Sequence, residues 1–107
     1  MSEPPLDLAV TGGTVVGPHG RRRVDLGVRG GRVVARTAPG DLGPALATCD
    51  ANGKLVLPGI VDTHFHCRAP ERPDREDFDS GTAAAAAGGV TTLVEMPISD
   101  PACATPE

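Results

Sequence analysis

Two β-branched runs flank a segment built for helix, and that order constrains the fold more than any other feature of the chain. The first run is Ile60-Val61-Asp62 and the second is Val90-Thr91-Thr92-Leu93-Val94-Glu95-Met96, ended by Pro97. Between them the stretch to Ala87 closes on five consecutive alanines, the residue that forms helix best. Asp74 suits the N-cap, and Glu76 and Asp77 would then sit in the first turn, where negative charge favours the helix dipole. Gly88-Gly89 supplies a stop. Phe78, Thr82 and Ala85 share a stripe that could face a sheet. Residues 67 to 73 carry Pro70 and Pro73, which restrict their neighbours and exclude regular structure. Residues 59 to 96 therefore spell strand, loop, helix, strand. That is a βαβ unit, with parallel strands joined by a right-handed crossover.

Residues 6 to 57 have a different character, short strands punctuated by glycine. Leu6 to Val10 alternates, Gly12-Gly13 turns, and Thr14-Val15-Val16 resumes. Gly17-Pro18-His19-Gly20 makes a second turn, Val24 to Val28 alternates, Gly30-Gly31 turns, and Arg32 to Ala35 follows. Asn52-Gly53 is a hairpin signal between Thr48-Cys49-Asp50 and Lys54 to Leu57. Strands joined by glycine turns argue for antiparallel pairing. Arg21-Arg22-Arg23 is read as a solvated turn, and His19 as exposed.

Chemistry concentrates where the first βαβ strand ends, at Asp62-Thr63-His64-Phe65-His66. Strand side chains alternate with period two, so Asp62, His64 and His66 leave one face. Two neighbouring imidazoles can hold one divalent ion, and neutral imidazole suits zinc. Two satisfied polar histidines at a strand end would carry the same H-x-H pattern. The C-terminal end of a parallel-type strand, where barrel enzymes place their ligands, favours the metal. Asp62 lies one step deeper and reads as a partner for an imidazole N–H, or for neighbouring backbone. Parity points Cys67 away from the pair and into packing. If extended geometry persists, Arg68 points toward the same mouth, where a guanidinium could hold a carboxylate or ureido oxygen; a solvated loop arginine is the alternative. Parity leaves Glu95 open.

Composition narrows the setting. The 107 residues fall far short of a (β/α)8 barrel of ~250 residues. A net charge of −4 advertises neither nucleic acid nor anionic membrane as a partner. Cys49, Cys67 and Cys103 form no C-x-x-C pair and no disulfide framework. The acidic start Met1 to Pro5 is not a secretory signal, and no apolar run approaches the ~20 residues of a membrane helix. A cytoplasmic setting is expected. A homo-oligomer is left open as a partner arrangement.

From Pro58 to Pro97 the motifs P-G-x-x-D-x-H-x-H, G-T-x-A-A-A-x-G-G-V-T-T and M-P resemble the start of a cyclic amidohydrolase, the group of dihydroorotase, allantoinase and hydantoinase. The resemblance implies an α/β fold with an N-terminal β segment. Residues 1–57 would be part of a β-sandwich. Residues 58–107 would open a metal-dependent hydrolase TIM barrel with its first βαβ unit. It implies hydrolysis of a C–N bond in a small cyclic amide or ureide, at two divalent metals, usually zinc. His64 and His66 would hold the more buried one, and Arg68 would contact substrate. The subfamily signals conflict: Arg68 is dihydroorotase-like, whereas Ile98-Ser99 after Met96-Pro97 is closer to allantoinase. The metal-bridging lysine, two further histidines and the aspartate base of the family belong to later strands. The only lysine here is Lys54, before the first barrel strand, and no histidine follows His66. No catalytic residue is therefore assigned within this chain, which is expected to hold one half-site and to be inactive alone. The competing expectations are a non-catalytic chain that folds with a partner, and a metal module using His64 and His66 with Cys67 or Cys103.

Overall fold

The computed structural model describes residues 4–72, 74–98 and 100. The chain divides into two compact units, Met1–Pro58 and Gly59–Glu107.

The first unit is all β. Its strands are β1 (Leu6–Thr11), β2 (Thr14–Gly17), β3 (Gly20–Arg23), β4 (Asp25–Arg29), β5 (Arg32–Thr37), β6 (Ala45–Asp50) and β7 (Leu55–Val56). They form a four-stranded sheet ordered β5-β4-β1-β6 and a three-stranded sheet ordered β3-β2-β7. The purely antiparallel expectation is corrected. The β1–β4, β4–β5 and β2–β3 pairs are antiparallel, but β1–β6 and β2–β7 are parallel. Gly12-Gly13 is accordingly no hairpin turn. It is the step at which the chain leaves one sheet for the other.

Asn52-Gly53 is corrected for the same reason. The segment from β1 to β2 runs alongside the segment from β6 to β7, with Thr11 opposite Asp50 and Thr14 opposite Leu55. The second segment holds two more residues across that interval, and Asn52-Gly53 takes up the excess in a turn closed by the Lys54 N–H on the Ala51 carbonyl at 2.9 Å. A Cβ on Gly13 would lie 2.6 Å from Val56 Cγ2 and 3.0 Å from Ala51 Cβ, so the backbones can approach only with glycine there. The Arg21 to Arg23 stretch is also strand rather than turn. It pairs with β2 around the Pro18-His19 tip, with all three side chains exposed.

Leu6, Ala9 and Ala51 are buried in this unit, with Gly27 against Leu6. The buried polar residue is Asp25, only 3% exposed, whose carboxylate accepts the N–H groups of Gly12 at 2.9 Å and Gly40 at 2.8 Å. These bonds, Gly40's first, favour the ionised form and hold its carboxyl below the usual range, with help from Arg23 and against the cost of burial. A depressed folded pKa stabilises the fold above the unfolded value of about 3.8 and loses that effect as pH falls through the folded value. Asp25→Asn is therefore expected to be less stable at neutral pH, and to lose less stability than the parent between about pH 5 and pH 2. Denaturant midpoints across that range check this; parallel pH profiles for the two proteins would refute it.

The second unit holds β8 (Ile60–Phe65), α1 (Phe78–Ala87) and β9 (Val90–Glu95). β8 and β9 pair in parallel, as a βαβ unit requires. Gly59 is packed so tightly that a Cβ would lie 2.7 Å from Thr91 Cβ and overlap that residue's Oγ1 and Cγ2. The helix begins later than expected. Asp77, not Asp74, is the N-cap: its Oδ1 accepts the Ser80 N–H at 2.7 Å while Ser80 Oγ accepts the Asp77 N–H at 3.1 Å. This reciprocal box satisfies two otherwise orphaned donors. Asp74 is instead held by Arg72 through two contacts of 3.0 Å. Gly89, at φ +85°, turns the chain out of the helix, and its carbonyl accepts the Ile60 N–H at 2.9 Å. Within the expected stripe Ala85 is half-buried while Phe78 and Thr82 are exposed; the buried helix position is Gly81.

Candidate metal centre

β8 is extended because Ile60, Val61 and Thr63 are β-branched, and it carries His64 and ends at Phe65, with His66 the next residue. His64 and His66 lie side by side, with Nε2 atoms 3.1 Å apart, ring centroids 4.9 Å apart and ring planes at 73°. A tetrahedral zinc with Zn–N bonds of ~2.0–2.1 Å sets two ligand nitrogens ~3.3–3.4 Å apart. The pair therefore fits one divalent ion with only a small adjustment. His66 Nδ1 is buried and has no hydrogen-bond partner among the described residues. That is the ring atom through which a ligating histidine is ordinarily steadied. The donors present supply half of a four-coordinate shell. Among the described residues no group of three or more His, Cys, Asp or Glu side chains is placed to hold a metal.

Asp62 supports the pair from below by a different route from an imidazole bond. Its Oδ1 accepts the main-chain N–H of His64 at 3.0 Å. It thus fixes the backbone from which the ring projects. Arg68 is not brought to the histidines by strand alternation. The strand ends at Phe65, Arg68 adopts φ +24°, its side chain is exposed, and its carbonyl accepts the Arg72 N–H at 2.7 Å.

Glu95, which parity could not place, closes the end of the unit. Both carboxylate oxygens lie within reach of the Cys67 N–H, at 3.0 and 3.2 Å. Phe65 meanwhile accepts the Met96 N–H at 2.9 Å. The signal that could have found this role is the register slip between Asp62 and Phe65, and a slip is invisible in one sequence. Cys67 is fully enclosed, and a Cβ on Gly81 would come within 3.3 Å of its Sγ. Burial pushes its thiol pKa up, the Ala69 backbone N–H works against that, and the negative charges of Glu76, Glu95 and Asp77 push it up again, so the thiol is held above the usual cysteine range. Cys49 is free and exposed, and Cys103 lies outside the described residues.

Known proteins resemble this chain in sequence and in fold. The dihydro-orotase-like family model matches residues 53–107. Allantoinase of Escherichia coli strain K12 is 45% identical over 92 residues, covering 86% of this chain and 20% of that protein. L-hydantoinase (dihydropyrimidinase) from Arthrobacter aurescens superposes with a TM-score of 0.84 at 37% identity, covering 94% of this chain and 22% of that one. N-acyl-D-glutamate deacylase from Bordetella bronchiseptica, solved with zinc and a phosphonate inhibitor, superposes with a TM-score of 0.61 at 35% identity over 84% of this chain and 18% of that one. The chain spans about a fifth of the length of the curated relatives it matches. Its mixed sheets followed by strand, helix and strand are the partial β/α fold of these enzymes, and the chain belongs to the dihydro-orotase-like family of amidohydrolases.

Proposed function

We propose that this chain carries the first half of the metal grip of a cyclic-amide hydrolase, with His64 and His66 as the two ligands to one divalent ion, zinc by preference. The observation that carries the reading is the 3.1 Å separation of the two Nε2 atoms at the end of a parallel strand. A divalent ion in such a site supplies polarisation of an amide carbonyl and activation of water. The residues of this chain orient it: Asp62 fixes the His64 backbone, and Glu95 fixes the backbone that leaves the pair. The substrate class is a small cyclic amide or ureide, and Arg68 is its contact once the loop that bears it is drawn toward the mouth. Barrel closure, the second metal and the base come from strands that the described residues do not include. Cys49 and Cys67 are free thiols, as a reducing compartment would keep them, and the setting we assign is the cytoplasm.

The purified 107-residue chain, supplied with zinc, is expected to turn over neither dihydroorotate, allantoin nor hydantoin, because two imidazoles and no base cannot complete the reaction. Product formation from any of the three, assayed by chromatography, would overturn the half-site reading.

A second reading has its own observation. Ile60 and Val61 are 56% and 57% exposed on a two-stranded sheet whose outer edges are unpaired among the described residues. Open edges and bare apolar strands are templates for association. On that reading the chain is a non-catalytic component that folds onto a partner. Light scattering showing a folded monomer at high concentration would count against it.

A further inference from the structure

The chain is acidic as a whole, yet one stretch of its β unit is strongly basic. Six of the 10 lysines and arginines fall between Gly17 and Arg36, against one of the 14 acidic residues. That one is Asp25, which is buried and already committed to the amides of Gly12 and Gly40. The stretch therefore has no carboxylate of its own to spare.

Two of these arginines, Arg22 on β3 and Arg36 on β5, come from different sheets and line the same cavity, of about 180 Å³. His19 lines it too, with Gly17, Pro18 and Gly20 of the β2–β3 turn. Neither the Arg22 nor the Arg36 guanidinium has a hydrogen bond or ion pair among the described residues. Like charges gathered without a counter-ion repel, and an anion between them removes the repulsion. The turn leaves room for one: a Cβ on Gly17 or on Gly20 would meet nothing within 4 Å, and Gly20 sits at φ +104°, where glycine is favoured.

We propose that this cavity binds a phosphoryl group, as inorganic phosphate or as a small phosphate monoester. Two guanidiniums offer five N–H donors each, and His19 adds at least one. A carboxylate has two oxygens, which one arginine fork can engage together; a phosphoryl group presents three, so a second fork finds an oxygen not already shared. The cavity lies below the ~300–1,000 Å³ of drug-sized ligand sites, which suits a headgroup and not a nucleotide. The site belongs to the first unit and is independent of the histidine pair.

The test is a titration of the full 107-residue chain with inorganic phosphate and, separately, with glycerol phosphate. Ionic strength is held constant with sodium chloride, and both the melting temperature and the Gly17 and Gly20 amide resonances are read. Saturable shifts are expected with either anion. Arg36→Ser and Arg22→Ser should each weaken binding about tenfold, as loss of a charge-assisted contact does. Arg32→Ser, which removes the same charge from elsewhere in the stretch, should leave affinity unchanged. Arg36→Lys, which keeps the charge and loses the fork, should still weaken it. Where a variant melts too low to compare, the amide shifts at low temperature decide. Equal weakening by Arg32→Ser, an acetate response as large as the phosphate one, or no response beyond chloride would each overturn the proposal.

Discussion

Replacing His66 by alanine is expected to weaken zinc binding by about 100-fold or more, and replacing His64 should do the same. Loss of a residue that merely steadies a ligand already costs 10–100-fold, and here half of the available donors disappears. The chain has three histidines, and His19 sits in an exposed turn of the other unit, so it serves as an internal reference. Zinc titration followed by the imidazole C–H resonances should move His64 and His66 together and leave His19 in place. In His66→Ala the His64 signal should move only at far higher zinc. Cys67→Ala should leave the titration unchanged, because its thiol is enclosed against Gly81 and kept protonated. If Cys67→Ala weakens binding as much as His64→Ala, the ligand set is wrong and the chain is a different kind of metal module.

A methyl group at Gly59 should damage the second unit more than any other single small change. The added carbon would overlap the Thr91 side chain, and Thr91 Cβ, which cannot rotate away, would lie only 2.7 Å from it. Relief requires β8 and β9 to part at the pairing of Ile60 with Val90 that leads toward the histidines. Overpacking of this kind costs about 1–3 kcal/mol, a large share of the ~5–15 kcal/mol that hold an ordinary domain together. Gly59→Ala should lower the urea midpoint and speed amide exchange along Val90–Glu95. Gly43→Ala, where the new carbon meets nothing within 4 Å, should stay within about 0.5 kcal/mol of the parent. Unchanged exchange in Gly59→Ala would show that the two strands tolerate separation and that their register is not set there.

What could be read from the sequence divides along a physical line. The βαβ order was legible because alanine runs and β-branched runs are local preferences that tertiary packing here reinforces. The shared face of His64 and His66 was legible because the pleat is a geometric necessity of any strand. The reading ended two residues beyond the pair, where the backbone of Arg68 leaves the extended region. Asp74 was read as the cap, with Asp77 inside the first turn, because capping propensity is blind to competitors; Arg72 occupies Asp74, and Ser80 completes the box on Asp77. Asn52-Gly53 marks a turn but not the hairpin expected of it, because which strands lie beside it is a long-range matter. No local pattern distinguishes a hairpin tip from a slack turn in a parallel pair. Glu95 was undecided because a register slip precedes it.

The parallel pairing of Leu6–Thr11 with Ala45–Asp50 has a consequence for how the protein is made. During synthesis the first strand can find Asp25–Arg29 early, but its other border stays bare until Asp50 has cleared the ribosome. Throughout that interval a holdase, or a neighbouring nascent chain, can occupy the place reserved for the sixth strand. Slowing synthesis after Arg29 has emerged and before Asp50 has done so should therefore raise the yield of misassembled product.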